Sequence, residues 1–207
     1  VLAVAIVGYL ASRAVPSAPP TAPSLKLEWN PFPELVRLWR ITRQRESVFN
    51  GILGISWFWF FGATMLAQMP NFTRHFLYGN ETVATLLLAV FSVAIGLGSI
   101  LCAKLSRGEI ELGLVPIGAA GLTIFTAWLF FLDYLPNGSP IEGAAAFLGG
   151  DRTALGIKVI ILLGLVGVSA SLFIVPLYAL IQSRSEPSTL SRVIAANNIY
   201  NSVFMVG

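Results

Sequence analysis

Residues 47–73 run from Ser47 to Thr73 without a charge, 27 positions between Glu46 and Arg74. Their centre, GILGISWFWFFGATMLAQM over 51–69, is apolar on every helical face. A bilayer core of about 30 Å takes roughly 20 helical residues at 1.5 Å each. The stretch predicts a transmembrane helix, because buried helices of soluble domains are usually shorter. Further charge-free runs occupy 82–103, 112–132 and 159–183, with partial ones at 1–12 and 193–207. They predict spans over about 48–69, 82–104, 112–133 and 155–182. Residues 1–12 read as the end of one more helix and 192–207 as the truncated start of another. None of the runs alternates with period two, as the strands of a membrane barrel would. The pattern predicts an all-α integral membrane protein.

The segments between spans differ in kind. Residues 13–33 carry Pro16, Pro19, Pro20, Pro23, Pro31 and Pro33, a density that predicts an extended linker. In 34–46, Leu35, Leu38, Trp39 and Thr42 recur at helical spacing, with Arg37, Arg40, Arg43 and Arg45 largely on other faces. That predicts a short amphipathic helix at the membrane surface, completing a linker over 13–46 before a bundle over 47–207. Its arginines either attract anionic lipid, at about 1 kcal/mol each, or only fix topology. Pro70 is expected to end the first span. Pro116 falls in the first turns of its helix, where proline is tolerated, and Pro176 is expected to kink its helix and free the carbonyl of Leu172.

Charge orients the spans. Loops 13–46, 104–111 and 184–192 hold ten of the 13 lysines and arginines, and loops 74–81 and 133–158 hold three. The positive-inside rule puts the first set in the cytoplasm. The basic residues therefore report topology, and the net charge of +3 does not point to nucleic acid. Charged residues make up 11% of the chain, against about 25% in soluble domains. Val1 opens and Gly207 closes inside apolar sequence, so the chain is expected to be an internal piece of a longer membrane protein. The lone Cys102 cannot form an internal disulfide, and no Cys/His cluster suggests a metal or cofactor.

Few residues inside the spans carry chemistry. No ionisable side chain lies mid-span, although such groups usually mark ion pathways. The polar candidates are Asn50, Ser56, Thr64, Gln68, Thr85, Ser92, Asn197, Asn198 and Asn201. Asn197 and Asn201 share a face with Tyr200 beside them; they line a cavity or only bond neighbouring helices. Ala94, Gly98 and Cys102, four apart, form a small-residue stripe for close helix packing, and Gly164 and Pro176 are assigned to packing on their own helix. No Ser/His/Asp set or carboxylate pair is present, so this piece is not expected to be an enzyme.

The strings GISWFWFFGATMLAQMP (54–70), LLLAVFSVAIGLGSILCAKLSRGEIELGLVPIGA (86–119), VPLYALIQ (175–182) and RVIAANNIYNSVFMV (192–206) occur in order. Together they resemble the bacterial lysophospholipid transporter family of the major facilitator superfamily. The likeness is to the form fused to a phospholipid acyltransferase and an acyl-carrier-protein ligase. The resemblance covers most of 48–207 but not the linker. The turn KLSRG (104–108) stands where the superfamily keeps a short charged turn, with Ser106 in place of its usual acidic residue. The resemblance implies a partial bundle: the end of helix six, helices seven to ten and the start of helix eleven, with the N-terminal half elsewhere. It implies residence in the bacterial inner membrane, with membrane lipid as surroundings and an associated acyltransferase as partner. The implied function is movement of lysophospholipid, chiefly lysophosphatidylethanolamine, across that membrane for re-acylation. A general exporter of a drug or metabolite, or an anchor for the attached enzymes, are the alternatives.

For such a substrate Gln68, Asn197 and Asn201 are the expected headgroup contacts, since amides donate and accept without a charge of their own. Asn50, Thr64 and Trp57 are expected to line the same cavity. The acyltransferases of such fusions carry an Asp five positions after a His; here His75 is followed by Asn80, and no catalytic role is expected. The sequons at Asn71, Asn80 and Asn137 read as chance in a bacterial chain.

Overall fold

The computed structural model describes residues 2–16, 31–132, 140–150 and 153–206. Among the described residues eight helices follow in order: α1 (Leu2–Arg13), α2 (Pro31–Arg43), α3 (Glu46–His75), α4 (Glu81–Ser106), α5 (Leu114–Phe130), α6 (Ala144–Gly149), α7 (Thr153–Arg184) and α8 (Leu190–Val206). Among the described residues there is no strand, only an isolated bridge between Gly79 and Ile141. Helices α3, α4 and α7 are long and apolar enough to cross a membrane. The described residues are thus all-helical, and the chain has the make-up of a membrane protein. At 17 residues, α5 is about 25 Å long, short of a full hydrocarbon core.

The chain divides into two compact units, Val1–Glu34 and Leu35–Gly207. In the first, α1 buries no residue. In the second, α7 is the axis, with α3, α4, α5 and α6 packed around it, and α8 lies against α3. The core is one cluster running from Val48, Ile52 and Ile55 of α3 through Leu87 and Phe91 of α4 to Val159, Leu163 and Val166 of α7. Cys102 joins a smaller cluster with Leu114 and Leu172, where α4, α5 and α7 meet.

Glycine and serine set the spacing on two sides of α7. A Cβ on Gly98 would lie 2.7 Å from the Cα of Val168, and one on Gly167 would lie 2.7 Å from the Cβ of Ala94. A Cβ on Gly118 of α5 would lie 2.8 Å from the carbonyl oxygen of Ser169. Such approaches are possible only without a side chain, and they allow the dispersion contacts that hold apolar helices together. The Ser171 hydroxyl donates to the carbonyl of Ile95 on α4 at 2.6 Å. Gly164 differs from its expected role. Among the described residues nothing lies within 4 Å of a Cβ placed there, and the glycine of α7 that packs on α4 is Gly167, one turn on. Pro176 is buried inside α7, which continues through it to Arg184.

Three expectations about helix ends need correction. Pro70 does not end α3, which runs on to His75. A proline costs its helix one N–H donor, and the turn beyond it is held by its own burial. Thr73 is buried and donates to Met69 O at 2.9 Å, and Phe72 packs on the core. Pro31 and Pro33 belong to α2 rather than to an extended linker, since the first helical turn needs no N–H from either. The loop expected over 133–153 contains α6, whose Phe147 is buried and whose carbonyl presses on Gly156. Asn80 is the N-cap of α4, its side chain accepting from the N–H of Thr82 and Val83. Asn137 lies outside the described residues.

Candidate functional site

Two features of the bundle hold polar groups in apolar surroundings, and they lie at different depths along α3. The first is at the α2 end. Ser56 of α3 and Asn197 of α8 are 0% and 1% exposed, and Asn201 is buried beside them. The Ser56 hydroxyl is 2.9 Å from both Ile52 O and Asn201 Oδ1. It has one proton, so it donates to one of them at a time. With that proton on Ile52 O, the Asn201 amide can turn its N–H towards the hydroxyl and keep both groups bonded. Among the described residues Asn197, one turn earlier on the same face, has no partner for its Oδ1, and neither has the Tyr200 hydroxyl. An unbonded buried acceptor costs on the order of 1–3 kcal/mol. Phe49 meets Tyr200 edge-on at 6.1 Å and closes this side.

The second feature is a pocket of about 210 Å³ where α3 and α5 both lie on α7. Met65, Gln68, Met69 and Phe72 of α3, with Phe76 just past its end, form one wall, Thr126, Leu129 and Phe130 of α5 the other, and Leu163 of α7 the floor. Residues 65, 69, 72 and 76 recur at helical spacing, which is why one face of α3 supplies a continuous apolar wall. The Thr126 hydroxyl is buried with no partner among the described residues, and Gln68 Oε1 accepts from Asn71 Nδ2 at 3.2 Å. Asn71 in turn borders a polar basin with Arg74, Asn80, Glu81 and Thr85 between α3 and α4. The Gln68–Asn71 pair therefore stands on the ridge between an apolar slot and a polar one.

The residues singled out from sequence are not gathered in one place. Asn197 and Asn201 are together, with Ser56 as their neighbour, while Gln68 lies twelve residues, or about 18 Å, further along α3. Asn50 is exposed on the first turns of α3, and Thr64 is exposed with its hydroxyl on Phe60 O. Thr85 and Ser92 likewise donate back to their own helix, the usual resting place for hydroxyls in apolar helices. Trp57 stacks on Phe61 at 5.8 Å and meets Phe173 edge-on at 5.8 Å, with part of its ring exposed. Thr126 and the Met65/Met69/Phe72/Phe76 wall were absent from the expected site, though the helical stripe of the wall is readable in the sequence. His75 is exposed at the end of α3. Among the described residues no three His, Cys, Asp or Glu side chains gather as a metal site. Compared with protein-family models, curated proteins and solved structures, the chain matches none of them.

Proposed function

We propose that this chain is half of a major facilitator transporter that carries a lysophospholipid, chiefly lysophosphatidylethanolamine, across the bacterial inner membrane. On this reading α3, α4, α5, α7 and α8 are helices seven to eleven, and the α2 end faces the cytoplasm.

The observation that supports it best is the slot between α3 and α5. Its lining is almost wholly apolar, its floor is a leucine, and its rim carries an amide pair that opens onto a polar basin. An amphiphile with one acyl chain has the same division: a chain that gains by leaving water and a headgroup that must keep its hydrogen bonds. The bonded pair Ser56–Asn201 and the unbonded Asn197 supply neutral polar groups at the other end of α3. Two such stations suit alternating access, in which a headgroup is handed between opposite ends of one path.

Uptake of labelled lysophosphatidylethanolamine into proteoliposomes holding the full-length protein tests the proposal. Protein-dependent entry is expected, with a two-chain phospholipid carried poorly because its second chain adds bulk to a slot of only about 210 Å³. Entry no faster than in protein-free vesicles would overturn transport and leave the anchor role. Carriage of water-soluble solutes without the lysolipid would point to a general exporter.

A further inference from the structure

We infer that the face of α2 turned away from the bundle is an anionic-lipid contact surface. The inference rests on α3 crossing a membrane and is independent of what the bundle carries.

Within Leu35–Arg43 the helix has two faces. Leu38 and Thr42 are buried, and Ile41 packs on the core. At 3.6 residues per turn these three occupy an arc of about 100°. Val36, Trp39, Arg40 and Arg43 occupy the opposite arc of similar width. Val36 is 54% and Trp39 49% exposed. The guanidinium of Arg43 lies 4.4 Å above the Trp39 ring and 5.0 Å from Phe49 in the first turn of α3. Arg45 is engaged elsewhere, in an ion pair with Glu186 at 2.8 Å and a bond to Arg184 O. Among the described residues Arg40 has no such partner.

Connectivity says what covers this face. Only Gln44 and Arg45 separate α2 from α3, so the end of α2 lies within about 10 Å of the start of α3. The charge-free run of α3 begins at Ser47. The headgroup layer on each side of a bilayer is about 5–8 Å deep. A helix tethered that closely lies in or against the headgroups. An exposed tryptophan with an apolar neighbour suits that depth, and the two arginines suit phosphate-bearing anionic lipid. Two carboxylates lie near in sequence, Glu34 in the first turn of α2 and Glu46 in the first turn of α3, where each suits the positive helix end.

The test uses the full-length protein carrying Val36→Cys, labelled with an environment-sensitive fluorophore; wild type, with Cys102 buried, is the labelling blank. It is reconstituted in phosphatidylglycerol or in phosphatidylcholine vesicles. Blue-shifted emission, shielded from the neutral quencher acrylamide, is expected in phosphatidylglycerol and weaker shielding in phosphatidylcholine. Each arginine near the surface is worth about fivefold in the ratio of bound to released helix. Arg40→Gln should lower that ratio about fivefold and Arg40→Gln with Arg43→Gln about 30-fold. Molar salt should act in the same direction. Equal quenching in both lipids would overturn the inference. So would shielding that ignores lipid, salt and both arginines, because a protein segment would then be the cover.

Discussion

The two sides of α7 are built on different principles. Towards α4 and α5 the contact is backbone on backbone, set by Gly98, Gly118 and Gly167, and its interhelical serine bond is complete. On the α3 side the contact is made through side chains: Gly51 and Gly54 meet the tips of Ile181 and Leu177 rather than backbone, and large rings pack beyond them, Phe58 on Phe173 at 6.1 Å and Trp57 beside it. There the slot stays open, and α8, against α3, keeps an amide unbonded. Close-packed backbones have one arrangement, whereas aromatic side chains and surplus hydrogen-bonding groups can be satisfied in more than one. The contrast separates a scaffold (α4, α5 and α7) from a working face (α3 and α8).

The largest effect should come from crowding the scaffold. Gly118→Leu drives a side chain into the backbone of α7 and should cost about 3 kcal/mol or more, read as a large loss of folded protein in detergent. Gly98→Leu should behave alike. Gly164→Leu, with open space at its Cβ, should leave the unfolding midpoint nearly unchanged. Equal tolerance at all three positions would erase the distinction between the two sides.

Asn197→Leu should separate stability from function on the other side. Replacing an unbonded buried amide by an apolar side chain of similar size is expected to be neutral or to stabilise by about 1 kcal/mol, while lysophospholipid uptake per folded molecule falls. A clear loss of stability with normal uptake would make Asn197 a structural residue.

Ser171→Ala removes one bonded hydroxyl from the scaffold and should cost about 0.6 kcal/mol, the usual worth of a hydrogen bond between membrane helices. The thermal midpoint of the purified protein reads it, and a much larger drop would mean the α4–α7 contact depends on that bond. Smallest of all should be Arg45→Ala. Its ion pair with Glu186 joins two exposed side chains and is worth less than about 1 kcal/mol, with a loss that vanishes in high salt.

The long spans were readable because length without charge is a property of the sequence alone. Helices α3, α4 and α7 lie where the runs 47–73, 82–103 and 159–183 put them. What misled was the behaviour of proline and glycine, which depends on neighbours the sequence does not order in space. Pro70 ends a helix only if nothing beyond it is buried, and Thr73 is buried while Phe72 packs half-buried on the core. Gly164 and Gly167 look alike in sequence, but only the second faces Ala94 and Phe91. The six residues of α6 are too few for a periodic signal, and burial of Phe147 places them. Of the site, the pairing of Asn197 with Asn201 followed from helical spacing. Ser56 as their neighbour and Thr126 as the wall facing Gln68 depend on which helices meet.

In the proposed transport, the slot between α3 and α5 holds the acyl chain of the lysolipid. Thr126→Phe tests it most directly, since the new ring would fill the slot from α5 without touching the glycine contacts of the scaffold. Uptake of labelled lysophosphatidylethanolamine by proteoliposomes of the full-length variant should fall at least about tenfold, equivalent to about 1.4 kcal/mol, with the unfolding midpoint held within a few degrees of wild type. Wild-type uptake through a plugged slot in a normally folded variant would contradict the account.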